Sequence, residues 1–151
     1  MFANYDTNKC YKFYDWKKTW DEAKDMCENR LNGVLASVPD RKTNDFLTNI
    51  VMKVRGNCGE RDDRKCEAWL GANDKSSEGR WRWIDGSGSV GYTNWMDSEP
   101  NNLLGGEDCL VTNWDGYGVR YSRWNDAPCS NKKFKYGFIC QSEPCRSWRD
   151  C

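Results

Sequence analysis

A polar, broken stretch from Glu99 to Cys109 contains the residues with the clearest potential for chemistry. It has three carboxylates and two side-chain amides, interrupted by a proline and a Gly-Gly pair. Such a segment is too polar for a core element and is predicted to be a surface loop. Its closely spaced oxygens suit a hard cation, and Ca²⁺ takes about six to eight oxygen ligands. The stretch is therefore a candidate calcium-binding loop, provided that the rest of the chain gives it a shape that closes such a shell.

The charge and hydropathy of the chain exclude several kinds of partner. Its 23 basic and 23 acidic residues cancel, so neither nucleic acid nor an anionic membrane surface is expected to bind. No run of about 18 apolar residues occurs, so no membrane span is predicted. The first residues lack the basic start and apolar run of a signal peptide. Met1 is therefore expected to be a mature, truncated or recombinant start.

Nine cysteines indicate the cellular compartment. No Cys-x-x-Cys pair and no histidine occurs in the sequence, which argues against a zinc module or a thioredoxin-type site. Scattered cysteines in a polar, loop-rich chain are typical of a disulfide framework in a secreted, extracellular protein. The odd number leaves at least one thiol free or paired with another chain. Cys58 and Cys66 flank a charged insert and are close enough to form a local disulfide.

Two helices and several short strands must position the candidate loop. Thr19 is the predicted N-cap of the first helix, and Glu22 completes a capping box. The second helix follows Asp40, and its predicted apolar face consists of Phe46, Leu47, Ile50, Val51 and Val54. Short strands are predicted over 10–14, 68–72, 109–112 and 136–140, a strand or a turn over 35–38, and a strand that runs into a turn over 81–86. Two early helices followed by short strands and long polar loops give an α+β domain.

With its elements in this order, the chain resembles a C-type lectin-like domain from Cys10 to Cys140. The motifs that carry the resemblance are Cys10-Tyr11-Lys12-Phe13, Thr19-Trp20-x-x-Ala23 with Cys27, Leu35-Ala36-Ser37, Trp69-Leu70-Gly71, Trp83-x-Asp85-Gly86, Tyr92-x-Asn94-Trp95, Glu99-Pro100-Asn101, Glu107-Asp108-Cys109, Trp124-Asn125-Asp126 and Cys129 through Cys140. The resemblance implies two helices with two small antiparallel sheets and long calcium-binding loops, stabilised by disulfides. It implies a single carbohydrate-recognition domain over residues 1–144, followed by a short cysteine-containing tail over 145–151.

The resemblance also implies two disulfides, Cys27–Cys140 across the domain and Cys109–Cys129 under the long loops. Long-form members of the family pair the position of Cys10 with a cysteine further upstream, which this chain lacks. The alternatives for Cys10 are Cys145, Cys151 or a second protomer. A homodimer or higher oligomer linked through one of these three cysteines is therefore left open.

The principal calcium site of the family maps onto five positions of this chain, all of which match: Glu99, Asn101, Glu107, Asn125 and Asp126. Pro100 is expected to follow a cis peptide bond, as in relatives. In the family mechanism, two vicinal sugar hydroxyls each give a lone pair to Ca²⁺, donate to a carboxylate and accept from an amide. The Glu-Pro-Asn order resembles the type that prefers the equatorial hydroxyls of mannose, N-acetylglucosamine and fucose.

An auxiliary calcium site maps onto Asp74, Glu78, Asn102, Glu107 and Asp108. Asn102 stands where an aspartate is often found, which lowers the charge of this site. Three aromatic residues in a long excursion before Trp124 are candidates for stacking on a sugar, and packing of a hairpin explains them equally well. They are Trp114, Tyr117 and Tyr121. In contrast, Trp69, Trp83, Trp95 and Trp124 are predicted to be core residues.

Together these residues predict a secreted, calcium-dependent lectin that binds glycans or glycoproteins on microbial or cell surfaces and is not an enzyme. Paired carboxylates can also serve a glycosidase, but here they cluster with amides and no separate acid/base pair stands out. Two other binding hypotheses stay open. The same calcium site can hold galactose-type glycans in a reoriented pose, or the fold can bind a protein, a mineral or ice.

Overall fold

The computed structural model of the protein describes residues 1–56, 66–113 and 122–143. In these ranges the chain forms nine strands, two α-helices and one 3₁₀ turn. The strands are β1 (Phe2–Asn4), β2 (Lys9–Lys18), β3 (Val34–Leu35), β4 (Ala68–Asn73), β5 (Arg82–Trp83), β6 (Gly88–Ser89), β7 (Cys109–Thr112), β8 (Trp124–Ala127) and β9 (Tyr136–Ser142). The helices are α1 (Trp20–Asn29) and α2 (Arg41–Arg55), and the 3₁₀ turn is Leu103–Gly105. The predicted α+β class is confirmed. None of the described helices is long and apolar enough to cross a membrane.

All nine strands belong to one hydrogen-bonded network. Its main path runs β1-β2-β9-β4-β5-β6, while β3 pairs with β9 and β7 pairs with both β4 and β8. The pairs between these strands are antiparallel with one exception, the parallel pair β4–β9, in which Ala68 lies opposite Gly137. This pair joins the two antiparallel sheets implied by the resemblance into a mixed sheet. Local sequence patterns do not show it, because the two strands lie far apart along the chain.

Helix α1 begins where the sequence predicts. The hydroxyl of Thr19 accepts a hydrogen bond from the main-chain N–H of Glu22 at 3.2 Å, and the Glu22 carboxylate accepts one from the N–H of Thr19 at 3.0 Å. This reciprocal pair is the predicted capping box. Trp20, Ala23 and Cys27 are buried and form the inner face of the helix.

Helix α2 follows Asp40 as predicted, and its predicted apolar face is confirmed except at one position. Asp40 is its N-cap and accepts the main-chain N–H of Thr43 at 2.7 Å. Phe46 is partly buried, but Val54 is 52% exposed, so its assignment to the buried face is wrong. Val54 has the helical spacing of that face, and its exposure shows that the core does not cover the last turn of α2. The fully buried members of the face are Leu47, Ile50 and Val51.

Buried tryptophans connect the helices to the strands. The indole Nε1 of Trp124 donates to Oδ1 of Asn44 in α2 at 2.8 Å. Trp83 and Trp95 pack edge-on against Trp124, with ring centroids at 6.1 and 5.7 Å. The prediction of a core position is confirmed for Trp69, Trp83 and Trp124, whereas Trp95 is only half-buried.

Both disulfides that the resemblance implies are present. Cys27 of α1 is bonded to Cys140 of β9 at a sequence separation of 113, and Cys109 to Cys129 at a separation of 20. In the chain-entropy treatment, closing a loop as long as the first stabilises the fold by about 4–5 kcal/mol. The first disulfide fixes α1 against the sheet, and the second fixes the start of β7 near the end of β8.

Two further cysteines, Cys10 and Cys66, are also disulfide-bonded. The predicted partner of Cys66 is Cys58, and the candidate partners of Cys10 within the chain are Cys145 and Cys151. Cys58, Cys145 and Cys151 lie outside the described residues, so the pairings of Cys66 and Cys10 stay predictions.

Candidate functional site

Strand β8 carries one half of the candidate site, and its two neighbours position it. On one side it pairs antiparallel with β7. On the other side the main-chain N–H of Trp124 donates to the carbonyl oxygen of Asn94 and the N–H of Met96 donates to that of Trp124, both at 2.9 Å. The segment that leads into the 99–109 loop is therefore bonded directly to the strand that carries Asn125 and Asp126.

Asp126 joins the loop to β8. It is fully buried, and its two carboxylate oxygens accept the main-chain N–H groups of Asn101 at 3.2 Å and Asn102 at 2.6 Å. The Glu99–Pro100 peptide bond is cis, as the resemblance implies.

Glu99 and Asn101 are in direct contact. The Glu99 carboxylate accepts the main-chain N–H of Asn101 at 3.1 Å and its side-chain Nδ2 at 3.0 Å. Burial, followed by the nearby Asp126 carboxyl, raises the pKa of Glu99 to about 7. Two carboxyl groups held this close repel each other when both are ionised, and a cation between them would relieve that repulsion.

Glu107 closes the turn between the two ends of the loop. Its carboxylate accepts the main-chain N–H of Leu103 at 3.0 Å, and its own N–H donates to Oδ1 of Asn102 at 3.0 Å. Burial raises the pKa of Glu107, and the charge of Asp126 acts in the same direction. Glu107 is thus held close enough to Asp126 for their charges to interact.

Asn125 provides the strongest structural evidence that the carboxylates and amides of the loop and β8 fit a metal ion. Its Oδ1 is buried and has no hydrogen-bond partner among the described residues. A buried polar atom without a partner is destabilising, and a cation would supply the partner. None of the ion pairs between described residues neutralises Glu99, Glu107 or Asp126. Three carboxylates and two amides form the oxygen-rich donor set that Ca²⁺ prefers.

A second acidic cluster lies next to the first. Oxygens of Asp74, Glu78 and Asp108 all lie within 4.8 Å of one another. Asp74 is 2% exposed, and one of its oxygens accepts the N–H of Gly79 at 2.8 Å while the other is buried without a partner. Burial, followed by repulsion from the neighbouring carboxylates, raises the pKa of Asp74. Partial desolvation and the same repulsion raise the pKa of Glu78, which is exposed. Oδ1 of Asn102 accepts the main-chain N–H of Glu107, and the Asn102 side chain lies near that of Glu78, so Asn102 links the two clusters.

Some of the residues around the loop were assigned no role from the sequence. Leu103 and Leu104 are 59% and 99% exposed in the 3₁₀ turn, and an apolar pair in a polar loop is the signal that could have identified them. Elsewhere in the sheet, the carboxylate of Asp85 accepts hydrogen bonds from the Ser37 hydroxyl after β3 and from the side-chain amide of Gln141 in β9, a role that the sequence motif does not reveal. The candidate stacking residues Trp114, Tyr117 and Tyr121 lie outside the described residues.

Comparison with known proteins is consistent with this geometry. The profile of the Lectin C-type domain matches residues 16–142. C-type lectin 1 of Hydrophis hardwickii is 35% identical over 136 residues, which cover 89% of this chain and 74% of that protein. The galactose-specific lectin nattectin of Thalassophryne nattereri is 32% identical over 133 residues, covering 88% and 73%.

A solved structure shows the same likeness. The crystal structure of the cow C-type carbohydrate-recognition domain of CD23, in the presence of a GlcNAc2Man3 oligosaccharide, superposes with a TM-score of 0.69 at 32% identity. The match covers 89% of this chain and 88% of that one. The chain therefore belongs to the C-type lectin domain family, a family of lectins and not of enzymes, as the sequence predicts.

Proposed function

We propose that the protein is a secreted, calcium-dependent lectin whose principal Ca²⁺ is held by the carboxylate and amide oxygens of the loop and β8. The observation that carries the proposal is the unpartnered, buried Oδ1 of Asn125 beside a set of carboxylates that no described cation neutralises. The proposed ligands are Glu99, Asn101, Glu107, Asn125 and Asp126. The disulfides support secretion, because such bonds persist in oxidising compartments.

The side chains of the loop have the complementary chemistry that a sugar hydroxyl needs. Bound Ca²⁺ would supply open coordination positions for hydroxyl oxygens. A hydroxyl group can donate one hydrogen bond and accept others. Glu99 and Asn101 already form a carboxylate–amide contact at 3.0 Å. A hydroxyl that donates to Glu99 and accepts from Asn101 would take the place of this contact, and Glu107 and Asn125 offer a second acceptor and donor for the neighbouring hydroxyl.

The preference for mannose-type sugars is part of the proposal. It is supported by the order Glu99-Pro100-Asn101, in which the acceptor precedes the donor. The relatives include a lectin named as galactose-specific and a domain crystallised with a mannose-containing oligosaccharide, so likeness alone does not decide between the two sugars. The galactose-type alternative therefore has to be tested directly.

An auxiliary calcium site is proposed at the second acidic cluster, where it would brace the sugar-binding loop from the side of the 73–79 turn. It is supported by the unpartnered Oδ1 of Asp74, which is buried in the same way as that of Asn125. The proposed ligands of this site are Asp74, Glu78, Asn102, Glu107 and Asp108.

A glycan array of neutral glycans, probed with Ca²⁺ and again with a chelator, tests the proposal. We expect binding to mannose-, N-acetylglucosamine- or fucose-terminated glycans that the chelator abolishes. Asn125→Ala should remove this binding, and Asn49→Ala, an exposed asparagine in α2, should leave it unchanged. Binding that survives chelation, or no glycan binding under either condition, would overturn the proposal and leave a protein, mineral or ice ligand to be examined.

A further inference from the structure

A groove with a volume of about 600 Å³ lies beside the proposed sugar site. One wall is formed by β5 and β6, and the other by the segment that leads into the loop. Pro100 lines the groove and belongs to the Glu99–Asn101 motif, so the groove is continuous with the place where a sugar would bind. The polar and aromatic residues around it are Arg80, Trp81, Arg82, Ser89, Thr93 and Trp95.

The two arginines of the groove are not engaged elsewhere. Both are exposed, and neither guanidinium has a hydrogen-bond or ion-pair partner among the described residues. By contrast, Arg41 and Arg55 in α2 each pair with an aspartate. The positive charge at the groove is therefore available to a ligand.

Hydroxyl groups lie close to this charge. Arg82 of β5 is directly opposite Ser89 of β6 in the antiparallel register, and directly opposite residues project from the same face of a sheet. Thr93 contributes a second hydroxyl to the lining. Guanidinium groups bind sulfate and carboxylate oxygens through paired hydrogen bonds, and hydroxyl donors add to such a site.

The carboxylates at the neighbouring motif determine when an anion can bind. Without a cation, Glu99 and its neighbours would repel a negative group that reaches Pro100. A divalent ion in the principal site would cancel most of the charge of the three carboxylates, and the field of the two arginines would then dominate the groove. Binding of an acidic ligand is thus expected to require Ca²⁺ even where the anion does not touch it.

We propose that this groove is an anion subsite, which receives a sulfate or carboxylate carried by a glycan whose neutral sugar occupies the Glu99–Asn101 site. The inference rests on the proposed lectin function and specifies its ligand as an acidic glycan. It follows from the unpaired arginines, the adjacent hydroxyls and the continuity of the groove with the motif.

The test compares three mannose disaccharide series in which the second sugar is neutral, sulfated at successive positions, or replaced by a uronate. Affinities are measured with Ca²⁺, and again with a chelator, for the wild type, the Arg80→Ala/Arg82→Ala variant and the control Arg30→Ala, which removes an exposed charge at the end of α1. We expect at least one acidic series to bind the wild type roughly two- to fivefold more tightly than its neutral parent, the scale of exposed charged contacts. The double variant should lose this gain and keep its neutral affinity, and Arg30→Ala should keep both.

Each outcome separates the two proposals. If the neutral parents bind and the acidic groups add no affinity, or if the gain survives in the double variant, the anion subsite is overturned and the lectin function stands. If no neutral parent binds in a Ca²⁺-dependent manner, the lectin function fails, and the subsite that rests on it fails too. A gain for only the sulfated or only the carboxylated series supports the subsite and identifies its anion.

Discussion

Asp126 connects β8 directly to the loop, because each of its carboxylate oxygens accepts a main-chain N–H group from the loop. Asp126→Asn removes a negative charge and directs an amide nitrogen at one of these donors. We expect Ca²⁺ affinity to fall by about tenfold or more, since ligand charge tunes such sites. Isothermal titration with Ca²⁺ measures the change, with the exposed Asp25→Asn in α1 as the control. Equal Ca²⁺ affinity in the two variants would show that Asp126 is not a ligand.

The proposed preference for mannose-type sugars can also be tested at the level of single residues. Glu99→Gln combined with Asn101→Asp reverses the order of acceptor and donor around the proposed ion. The hydroxyl pair that fits the reversed order differs, so we expect the preference to move from mannose towards galactose. Competition assays with both monosaccharides on the double variant and the wild type measure this shift. Unchanged specificity would show that neighbouring aromatic residues orient the sugar instead.

The residue types of the site can be predicted from the sequence, but several of their contacts cannot. The polar loop and the Asn125–Asp126 pair are visible as motifs, and the structure places Glu99, Asn101 and Asp126 in contact. That Asp126 accepts main-chain N–H groups depends on the packing of β8 against the loop. Equally, Arg80 and Pro100 line the same groove only in the folded chain, so no local pattern identifies the groove.

At the scale of the elements, Asp85 connects three separate parts of the sheet. It follows β5, and its carboxylate accepts hydrogen bonds from Ser37 after β3, from Ser87 and from Gln141 of β9. Burial alone would raise the pKa of Asp85, but these hydrogen bonds outweigh burial and hold the pKa well below its ordinary value of 3.8. The ionised form of Asp85 is therefore the one that the fold stabilises.

This network predicts how stability depends on pH. Because the pKa of Asp85 is lower in the folded than in the unfolded state, its contribution is complete above the ordinary value of 3.8 and is lost as the pH falls below it. The difference in unfolding free energy between the wild type and Asp85→Asn should therefore shrink between about pH 5 and pH 2. Urea denaturation in the presence of a chelator measures it without a calcium contribution. A difference that stays constant over this range would contradict the assignment.

The elements themselves were predicted to different degrees for physical reasons. The helices have local signals, which are a capping box at Thr19 in α1 and a periodic apolar face in α2, so both helices are predicted correctly. Strand β2 extends over Lys9–Lys18 rather than 10–14, because a register shift between Tyr14 and Lys18 breaks the alternation on which a prediction depends. Strand β1 and the parallel β4–β9 pair depend on partners elsewhere in the chain, and local patterns do not reveal them.

At the scale of the whole molecule, the site and the core share one set of contacts. Trp124 lies directly before Asn125, packs against Trp83 and Trp95, and donates to Asn44 of α2. The strand that carries two of the proposed calcium ligands is thus fixed to the second helix through a buried hydrogen bond. Calcium bound at the loop would act on a strand that already belongs to the core, so its effect is expected to reach global stability.

Calcium should therefore raise the thermal stability of the entire domain. A ligand that binds only the native state at about 100 times its Kd adds about 2.7 kcal/mol. For a domain of this size each kcal/mol shifts the Tm by about 2–4 °C, so saturating Ca²⁺ should raise the Tm by roughly 5–10 °C over a chelator. Differential scanning calorimetry measures the shift, which should be much smaller for Asp126→Asn and unchanged for Asp25→Asn. Equal Tm values with Ca²⁺ and chelator would mean that the loop does not bind calcium in the folded protein, because preferential binding to the native state must stabilise it.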